Sequence, residues 1–310
     1  MISDNKYDVI IIGGSYAGLA ASMALGRALR KVLIIDSGDP CNKQTPYSHN
    51  FLTNDGRSPA EIAGIAKQQV LMYDTVSFLH DLVTSASKTN DRFIIGVQSG
   101  KRFEAKKLVF ATGVKDIMPN IPGFAESWGI SVLHCPYCHG YEVRNQKTGI
   151  LANGDGGYDF ATLISNWTND LTLYTNGKSN LTIEQATKLR SHKIRIVEDE
   201  IEELKNQNGY LQNIVFKSER RESIKALYAK ISFAQHSNTP QSLGCELTQE
   251  GYIKIDSTQK TSVPGVFACG DNVTRMRTVA NAISMGTTTG MMVNKELIED
   301  EFQQNQKHIL

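Results

Sequence analysis

Residues 7–18 read YDVIIIGGSYAG, and a second apolar run, VLIID, covers residues 32–36. The branched apolar residues at 7–12 are typical of a strand that is buried on both faces of a parallel sheet. The glycine-rich turn leads into residues 19–25, a helical stretch that is rich in small side chains. Strand, turn, helix, strand and terminal acid within about 30 residues form a βαβ unit. This stretch therefore predicts a doubly wound α/β fold.

The turn after the first strand has the spacing of a phosphate-binding motif. Gly13 and Gly18 fill its first and third glycine positions, and Ser15 takes the second. Glycine allows a tight turn and close approach to a pyrophosphate, which the positive end of the helix attracts. Asp36, at the end of the second strand, is placed to accept hydrogen bonds from ribose hydroxyls. We expect a bound dinucleotide here; the alternative is a glycine-rich turn without a ligand.

A second unit of the same kind begins in the middle of the chain. A strand at 148–151 leads into the sequence ANGDGG, in which Gly154 and Gly157 keep two of the motif's positions. The segment around Asn176, after the next strand, offers neither an acid for a ribose nor an arginine for a 2′-phosphate. Two interpretations therefore stay open. Gly154, Gly157 and Asn176 form a nicotinamide nucleotide site, or the sheet keeps the shape of such a domain without a working nucleotide site.

The composition of the chain argues against nucleic-acid-binding, membrane-spanning and disulfide-rich secreted proteins. The 33 basic residues against 32 acidic ones leave a net charge of +1, with no surplus to neutralise a nucleic acid. No apolar run approaches the roughly 20 residues of a membrane-spanning helix. The first residues carry no long apolar stretch typical of an export signal. Five cysteines in 310 residues do not suggest a disulfide framework. We expect a cytoplasmic enzyme without a nucleic-acid or membrane partner.

The sequence CPYCHG at residues 135–140 is the chemical centre. Cys135 and Cys138 are spaced to close a small disulfide ring, and a helix N-terminus favours the thiolate needed for exchange. A redox dithiol is the favoured interpretation. Haem attachment and half of a zinc site are the alternatives, although no second Cys/His pair lies at a suitable spacing, so no metal is expected. His139 suits a proton donor or acceptor, or is only a residue of the first helical turn. Three further cysteines receive no role: Cys41, Cys245 and Cys269.

The order of these motifs resembles the low-molecular-weight thioredoxin reductases over nearly the whole chain. The sequence ATG at 111–113 and the pair Gly270-Asp271 complete the pattern. The resemblance implies two doubly wound Rossmann-like domains, the second inserted in the first. An FAD-binding domain would comprise residues 1–117 and 245–310. An NAD(P)H-binding-like domain, residues 118–244, would carry the dithiol.

The resemblance also implies roles for individual residues. Cys138 would face the flavin, and Cys135 would attack the partner disulfide. His139 stands where the family has an aspartate as general acid. FAD would be held by nine residues: Gly13, Ser15, Gly18, Asp36, Thr112, Gly113, Gly270, Asp271 and Ala280. The family further implies a homodimer, and either a thioredoxin-like protein or a small-molecule disulfide or dithiol as partner.

Departures from the family pattern leave the electron source open between NADPH, NADH and neither. The two arginines that clamp the 2′-phosphate are replaced by Asn176 and Gly177, and Lys178 is a single point charge. The dithiol region is more similar to a sub-branch that contains small-molecule dithiol oxidases. The breadth of the family resemblance outweighs these departures, and we expect an FAD-dependent disulfide oxidoreductase that uses NAD(P)H. The alternatives are an FAD-dependent dithiol oxidase with O₂ as acceptor and no working nicotinamide site, and a non-catalytic flavin- or zinc-binding redox sensor.

Overall fold

The computed structural model describes residues 5–307, with side chains as far as residue 303. The described chain forms two compact units. The first comprises the residues up to Lys43, Ala60–Lys115 and the chain from Ala234 onward. The second comprises Gln44–Pro59 and Asp116–Phe233. The second unit is thus inserted in the first, and the chain enters it twice.

The first unit is built on a mixed seven-stranded sheet. Its strands are β1 (Lys6–Ile12), β2 (Val32–Asp36), β3 (Val76–His80), β4 (Val83–Thr89), β5 (Arg92–Val97), β6 (Arg102–Phe110) and β17 (Val266–Ala268). Its helices are α1 (Tyr16–Arg27), α2 (Pro59–Val70), α7 (Thr239–Ser242) and α8 (Val279–Lys307). The strand order is β3-β2-β1-β6-β5-β4, and β17 also pairs with β6. The strands β1, β2, β3, β6 and β17 are parallel, whereas β4 and β5 are antiparallel additions.

The second unit contains a five-stranded parallel sheet and a three-stranded antiparallel sheet. The parallel strands are β8 (Val132–Leu133), β9 (Thr148–Leu151), β10 (Leu171–Tyr174), β11 (Arg195–Val197) and β15 (Ala226–Ala229), in the order β11-β10-β9-β15-β8. The antiparallel strands are β12 (Ile201–Gln207), β13 (Tyr210–Phe216) and β14 (Arg221–Ser223). The helices are α3 (Phe124–Ser127), α4 (Pro136–His139), α5 (Gly154–Ile164) and α6 (Ile183–Ser191). Two further strands, β7 (Val114–Asp116) and β16 (Phe233–Gln235), pair with each other where the chain crosses between the units.

The apolar runs that predicted the fold form the buried parallel strands. In β1, Val9, Ile10 and Ile11 have no exposed surface, as expected for a strand covered on both faces. The predicted α/β class with two doubly wound sheets is confirmed. No helix among residues 5–307 has the length and apolar character needed to cross a membrane.

The units differ from the expected domain boundaries in three segments, of which the shortest, residues 116–117, belongs to the second unit. Residues 44–59 belong to the second unit, since the Gln44 side chain donates hydrogen bonds to the carbonyls of Ala125 and Trp128. Residues 234–244 belong to the first unit, where the Gln235 side chain donates to the carbonyls of Gly251 and Asn272. In both of these longer segments the side chain bonds to carbonyl groups that lie far away in the sequence. A local sequence pattern cannot indicate such contacts.

A buried carboxylate ties the parallel sheet of the second unit to its antiparallel sheet. Glu222 accepts hydrogen bonds from the Tyr174 hydroxyl at 2.9 Å and from Arg195 at 2.7 Å, and it also pairs with Arg220. Burial alone would raise the pKa of Glu222, but hydrogen bonds from the two arginines and the tyrosine lower it to about 2. The ionised form is therefore a structural element of this unit.

Replacing Glu222 with glutamine is expected to destabilise the protein by about 3 kcal/mol at pH 7, because two arginines then lose their buried partner. The folded pKa lies below the unfolded value of 4.5, so the contribution is complete above pH 4.5 and is lost as the pH falls toward 2. Urea unfolding at several pH values measures both effects. The exposed pair of Glu200 and Lys217 provides the control, since solvent screens this pair and Glu200→Gln should leave the free energy of unfolding almost unchanged.

Candidate active site

The two cysteines of the CPYCHG sequence form a disulfide, with 5.3 Å between their Cα atoms. Cys135 is the N-cap of the short helix α4, and its sulfur accepts a hydrogen bond from the Cys138 amide at 3.1 Å. Pro136 occupies the first turn, where no amide hydrogen is needed. When the disulfide opens, a thiolate on Cys135 keeps this hydrogen bond in charge-assisted form. The local structure thus favours Cys135 as the exchanging sulfur.

The surroundings of α4 fix its position and leave the disulfide accessible. Cys135 and Cys138 are both partly exposed. Tyr137 is 64% exposed and packs edge-on against Trp167, with 5.5 Å between the ring centroids. Gly140 allows close contact here, because a Cβ atom would come within 2.4 Å of the Pro136 carbonyl oxygen. Both cysteines are therefore only partly covered by the protein.

His139 follows the dithiol and is partly buried. Its amide donates a hydrogen bond to the Cys135 carbonyl at 3.2 Å. Burial lowers the pKa of His139 to about 4, and the nearby His49 contributes in the same direction. The imidazole is therefore neutral at neutral pH and can accept a proton from an attacking thiol.

The pH dependence of thiol–disulfide exchange tests whether the His139 imidazole is neutral at neutral pH. We expect His139→Gln to slow thiol–disulfide exchange about a hundredfold, since a positioned base is lost. The ratio of wild-type to variant rates should stay constant from pH 8 to pH 5 and decline only near pH 4, because the imidazole gains its proton there. Stopped-flow measurement of exchange with dithiothreitol gives the ratio. A midpoint near pH 6.5 would contradict the prediction.

The glycine motif of the first unit forms a cradle at the carboxyl ends of the central strands. Gly13 has φ of +104°, and a Cβ atom there would lie 2.2 Å from the Ala111 carbonyl oxygen. A Cβ on Gly18 would lie 1.9 Å from the Gly13 carbonyl oxygen. Ser15 is the N-cap of α1 and its side chain makes no capping hydrogen bond. The first turn of α1 also has no acidic residue, so its amide groups suit a pyrophosphate.

The other predicted FAD residues of the first unit belong to segments that end at or near this edge. Asp36 ends β2, and its carboxylate accepts hydrogen bonds from the amides of Gly14 at 2.8 Å and Gly38 at 3.1 Å. Thr112 and Gly113 follow β6, Gly270 and Asp271 follow β17, and the exposed Ala280 lies in the first turn of α8.

Asn272, which follows the predicted FAD residue Asp271, was missed by the sequence interpretation. The Asn272 side chain donates to the Phe110 carbonyl at 3.0 Å and to the Thr112 hydroxyl at 3.3 Å. Its carbonyl oxygen Oδ1 is buried and has no hydrogen-bond partner among the described residues. A buried acceptor of this kind requires a donor, which a bound ligand can supply. The glycine cradle, the open helix end and this acceptor together fit the phosphates and hydroxyls of FAD.

The corresponding turn of the second unit is capped by one of its own side chains. Gly154 and Gly157 lie at the start of α5, but the helix is capped by Asn153, whose Oδ1 accepts hydrogen bonds from the amides of Gly154 and Asn180, both at 2.8 Å. Asp155 adds a carboxylate to the first turn. A negative charge and an internal cap at this helix end oppose a pyrophosphate.

Asn176 has a structural role, which the sequence did not indicate. Its side-chain oxygen accepts a hydrogen bond from the Ile201 amide at 2.7 Å. The neighbouring Gly177 amide donates to the Glu198 carbonyl, at the start of the acidic run Glu198-Asp199-Glu200. This loop therefore offers little attraction to a 2′-phosphate.

Comparison with known proteins places the chain in a family. The family described as pyridine nucleotide-disulphide oxidoreductase matches residues 7–286. Thioredoxin reductase tcpT of Claviceps purpurea is 35% identical, and the alignment covers 97% of both chains. Thioredoxin reductase sirT of Leptosphaeria maculans is 29% identical over 93% of both chains. The crystal structure of the oxidoreductase from Agrobacterium tumefaciens is 34% identical, with a TM-score of 0.89, and covers 94% of this chain and 99% of that one.

These matches agree with the fold, the disulfide and the glycine cradle described above. They confirm the predicted resemblance and support an enzyme that binds FAD, rather than a non-catalytic redox sensor. The chain belongs to the pyridine nucleotide-disulphide oxidoreductase family and is a thioredoxin-reductase-like, FAD-dependent disulfide oxidoreductase.

Proposed function

We propose that the protein exchanges a substrate disulfide or dithiol with the Cys135–Cys138 pair, while the first unit binds FAD. The observation that carries this proposal is the partly exposed disulfide with an amide hydrogen bond to Cys135. Bound FAD would supply the two-electron redox chemistry, held by the Gly13–Gly18 turn, Asp36 and the residues around Asp271. The second unit, which carries the dithiol, corresponds to the NAD(P)H-binding-like domain of the family.

The protein residues account for the thiol–disulfide step. A substrate thiol transfers its proton to neutral His139, and its sulfur attacks Cys135. The bond between Cys135 and Cys138 breaks, and Cys138 leaves as a thiolate. A second substrate thiolate then displaces Cys135, which releases an oxidised substrate and a reduced pair. The reverse sequence reduces a substrate disulfide.

A second candidate, the dithiol oxidase, is favoured by one specific observation. The N-terminus of α5 is capped by Asn153 and carries Asp155, whereas the N-terminus of α1 lacks both features. Binding of a nicotinamide nucleotide to the second unit would have to displace this cap. We therefore infer that substrate dithiols supply the electrons and that O₂ accepts them.

Anaerobic mixing of the purified flavoprotein with NADPH, NADH and dithiothreitol tests the electron source. We expect the flavin absorbance to bleach with dithiothreitol and to recover on admission of air. Either nicotinamide nucleotide should bleach it at least about a hundredfold more slowly at equal concentration, since the α5 terminus disfavours a pyrophosphate. Fast bleaching by NADPH or NADH would establish the reductase instead and would identify the donor.

The partner and assembly are further parts of the proposal. The family resemblance supports a homodimer that acts on a thioredoxin-like protein or on a small-molecule disulfide or dithiol, and the composition of the chain favours the cytoplasm. Sedimentation velocity gives the assembly, and a mass near that of one 34.3 kDa chain would exclude the dimer.

A further inference from the structure

Residues 44–59 form a segment of the second unit, here called the strap. Besides the Gln44 hydrogen bonds, Thr45 lies against Gly129, where a Cβ atom would come within 2.8 Å of the Thr45 hydroxyl oxygen. Ser48 forms an isolated antiparallel bridge with Arg57, so the strap turns back on itself. The contacts at one end and the bridge in the middle hold the intervening residues in one place.

His49 lies within this turn, between two carboxylates. Its Nδ1 is 3.4 Å from Asp55 of the strap, and its Nε2 is 3.6 Å from Glu142. The side chain is only 19% exposed. Asp55 is held in turn by the Asn50 amide at 2.7 Å. An imidazole with a carboxylate near each ring nitrogen is restrained in orientation and connected to two proton acceptors.

This arrangement lies beside the dithiol. Glu142 follows Cys138 closely in the sequence, and His139 lies between them. His49 is near enough to His139 for its charge to lower the pKa of that imidazole. The charged groups that face the histidine pair are Asp55 on the strap and Glu142 beyond α4. The cluster is not used by any other function of the second unit described above.

We propose that His49 is a positioning residue for thiol–disulfide exchange: held between Asp55 and Glu142, it fixes the segment that follows Cys138 and so keeps His139 in place beside the disulfide. This inference rests on the proposed function. The step balances within the protein: the substrate sulfur bonds to Cys135, the Cys135–Cys138 bond breaks, and Cys138 gains the electron pair. His139 then releases the proton to solvent. In the reverse direction His139 returns a proton to the departing thiolate.

The test uses the purified flavoprotein with His49→Gln, and His192→Gln as a matched control. His192 is exposed at the end of α6 and contacts only its own helix among the hydrogen bonds described. Anaerobic reduction of Cys135–Cys138 by dithiothreitol is followed by rapid alkylation and mass spectrometry from pH 4 to pH 8. We expect His49→Gln to react about tenfold more slowly, because His139 is less well placed, and His192→Gln to match the wild type. Added imidazole should restore part of the lost rate in His49→Gln only.

The pH profile distinguishes positioning from a purely structural role. Without the charge of His49, the low-pH midpoint that His139 gives the rate should move upward. Glu142→Gln, a change at an exposed residue, should give a smaller rate loss, and the His49→Gln/Glu142→Gln double variant should show less than the product of the two losses. The single variant Glu142→Gln keeps the proposal testable if His49→Gln folds poorly.

Wild-type rate and midpoint in His49→Gln would overturn the proposal, as would a rate loss with an unchanged midpoint and no imidazole rescue. A wild-type disulfide that does not react with dithiothreitol at all would instead overturn the proposed function. The two failures are therefore distinguishable.

Discussion

Replacement of Cys135 by serine is expected to lower turnover with any dithiol or disulfide substrate by at least about a thousandfold, with the flavin content unchanged. A serine hydroxyl cannot form the mixed disulfide through which exchange proceeds. It can still accept the hydrogen bond from the Cys138 amide, since serine is a favoured N-cap residue. The short helix should therefore persist while the chemistry is lost. Steady-state turnover and the visible flavin spectrum measure the two quantities.

The matched control for this variant is Cys245→Ser in the first unit. Cys245 is buried and its sulfur lies 3.6 Å from the Thr261 hydroxyl, a contact that serine can keep. Burial raises the pKa of the Cys245 thiol, so it is not a nucleophile at neutral pH. The control should retain wild-type turnover. More than a tenth of wild-type turnover in Cys135→Ser would exclude Cys135 as the exchanging sulfur.

Replacement of Gly18 by alanine is expected to yield protein with less than about a tenth of the normal flavin content. The added methyl group would lie 1.9 Å from the Gly13 carbonyl oxygen, so the turn must open. Opening the turn moves the amide groups of α1 away from the position at which they suit a pyrophosphate. Flavin content is measured from the ratio of visible to ultraviolet absorbance after gel filtration.

Gly64→Ala is the control for the Gly18 variant. Gly64 lies within α2, and a Cβ atom there has no heavy atom within 4 Å. Alanine also has a higher helix propensity, so a small gain in stability is expected, with normal flavin content. A Gly18→Ala protein with full flavin content would show that this turn does not hold the cofactor.

The features that the sequence predicted are those encoded locally. The buried run in β1, the glycine spacing of the turn after it and the CPYCHG helix each depend on neighbouring residues, so the α/β class and the dithiol could be inferred without coordinates. The three-stranded antiparallel sheet from Ile201 to Ser223 was not predicted, although its pairing is local, with Gln207 opposite Tyr210 and Val215 opposite Arg221. The pair Asn208-Gly209, whose positive φ angles form the first turn, is a hairpin signal that the sequence interpretation did not use.

The rest of the site could not be inferred because its residues meet only in three dimensions. His49 lies far before the dithiol in the chain, and no local pattern indicates that the strap brings it to Glu142. Asn153 and Asp155 were visible within the sequence ANGDGG, but their effect on the α5 terminus depends on the Asn180 amide. Asn272 stands next to a predicted residue, and only burial identifies its unpaired oxygen.

Because the second unit is assembled from separate stretches of the chain, its parts are synthesised at different times. Gln44 leaves the ribosome 81 and 84 residues before its carbonyl partners in Ala125 and Trp128. At elongation rates of about 5–20 residues per second, this delay is roughly 4–17 seconds. The β17 strand, which completes the first sheet beside β6, emerges later still. During this delay the Gln44 side chain of the nascent strap cannot form its hydrogen bonds to Ala125 and Trp128, because these residues have not yet been synthesised.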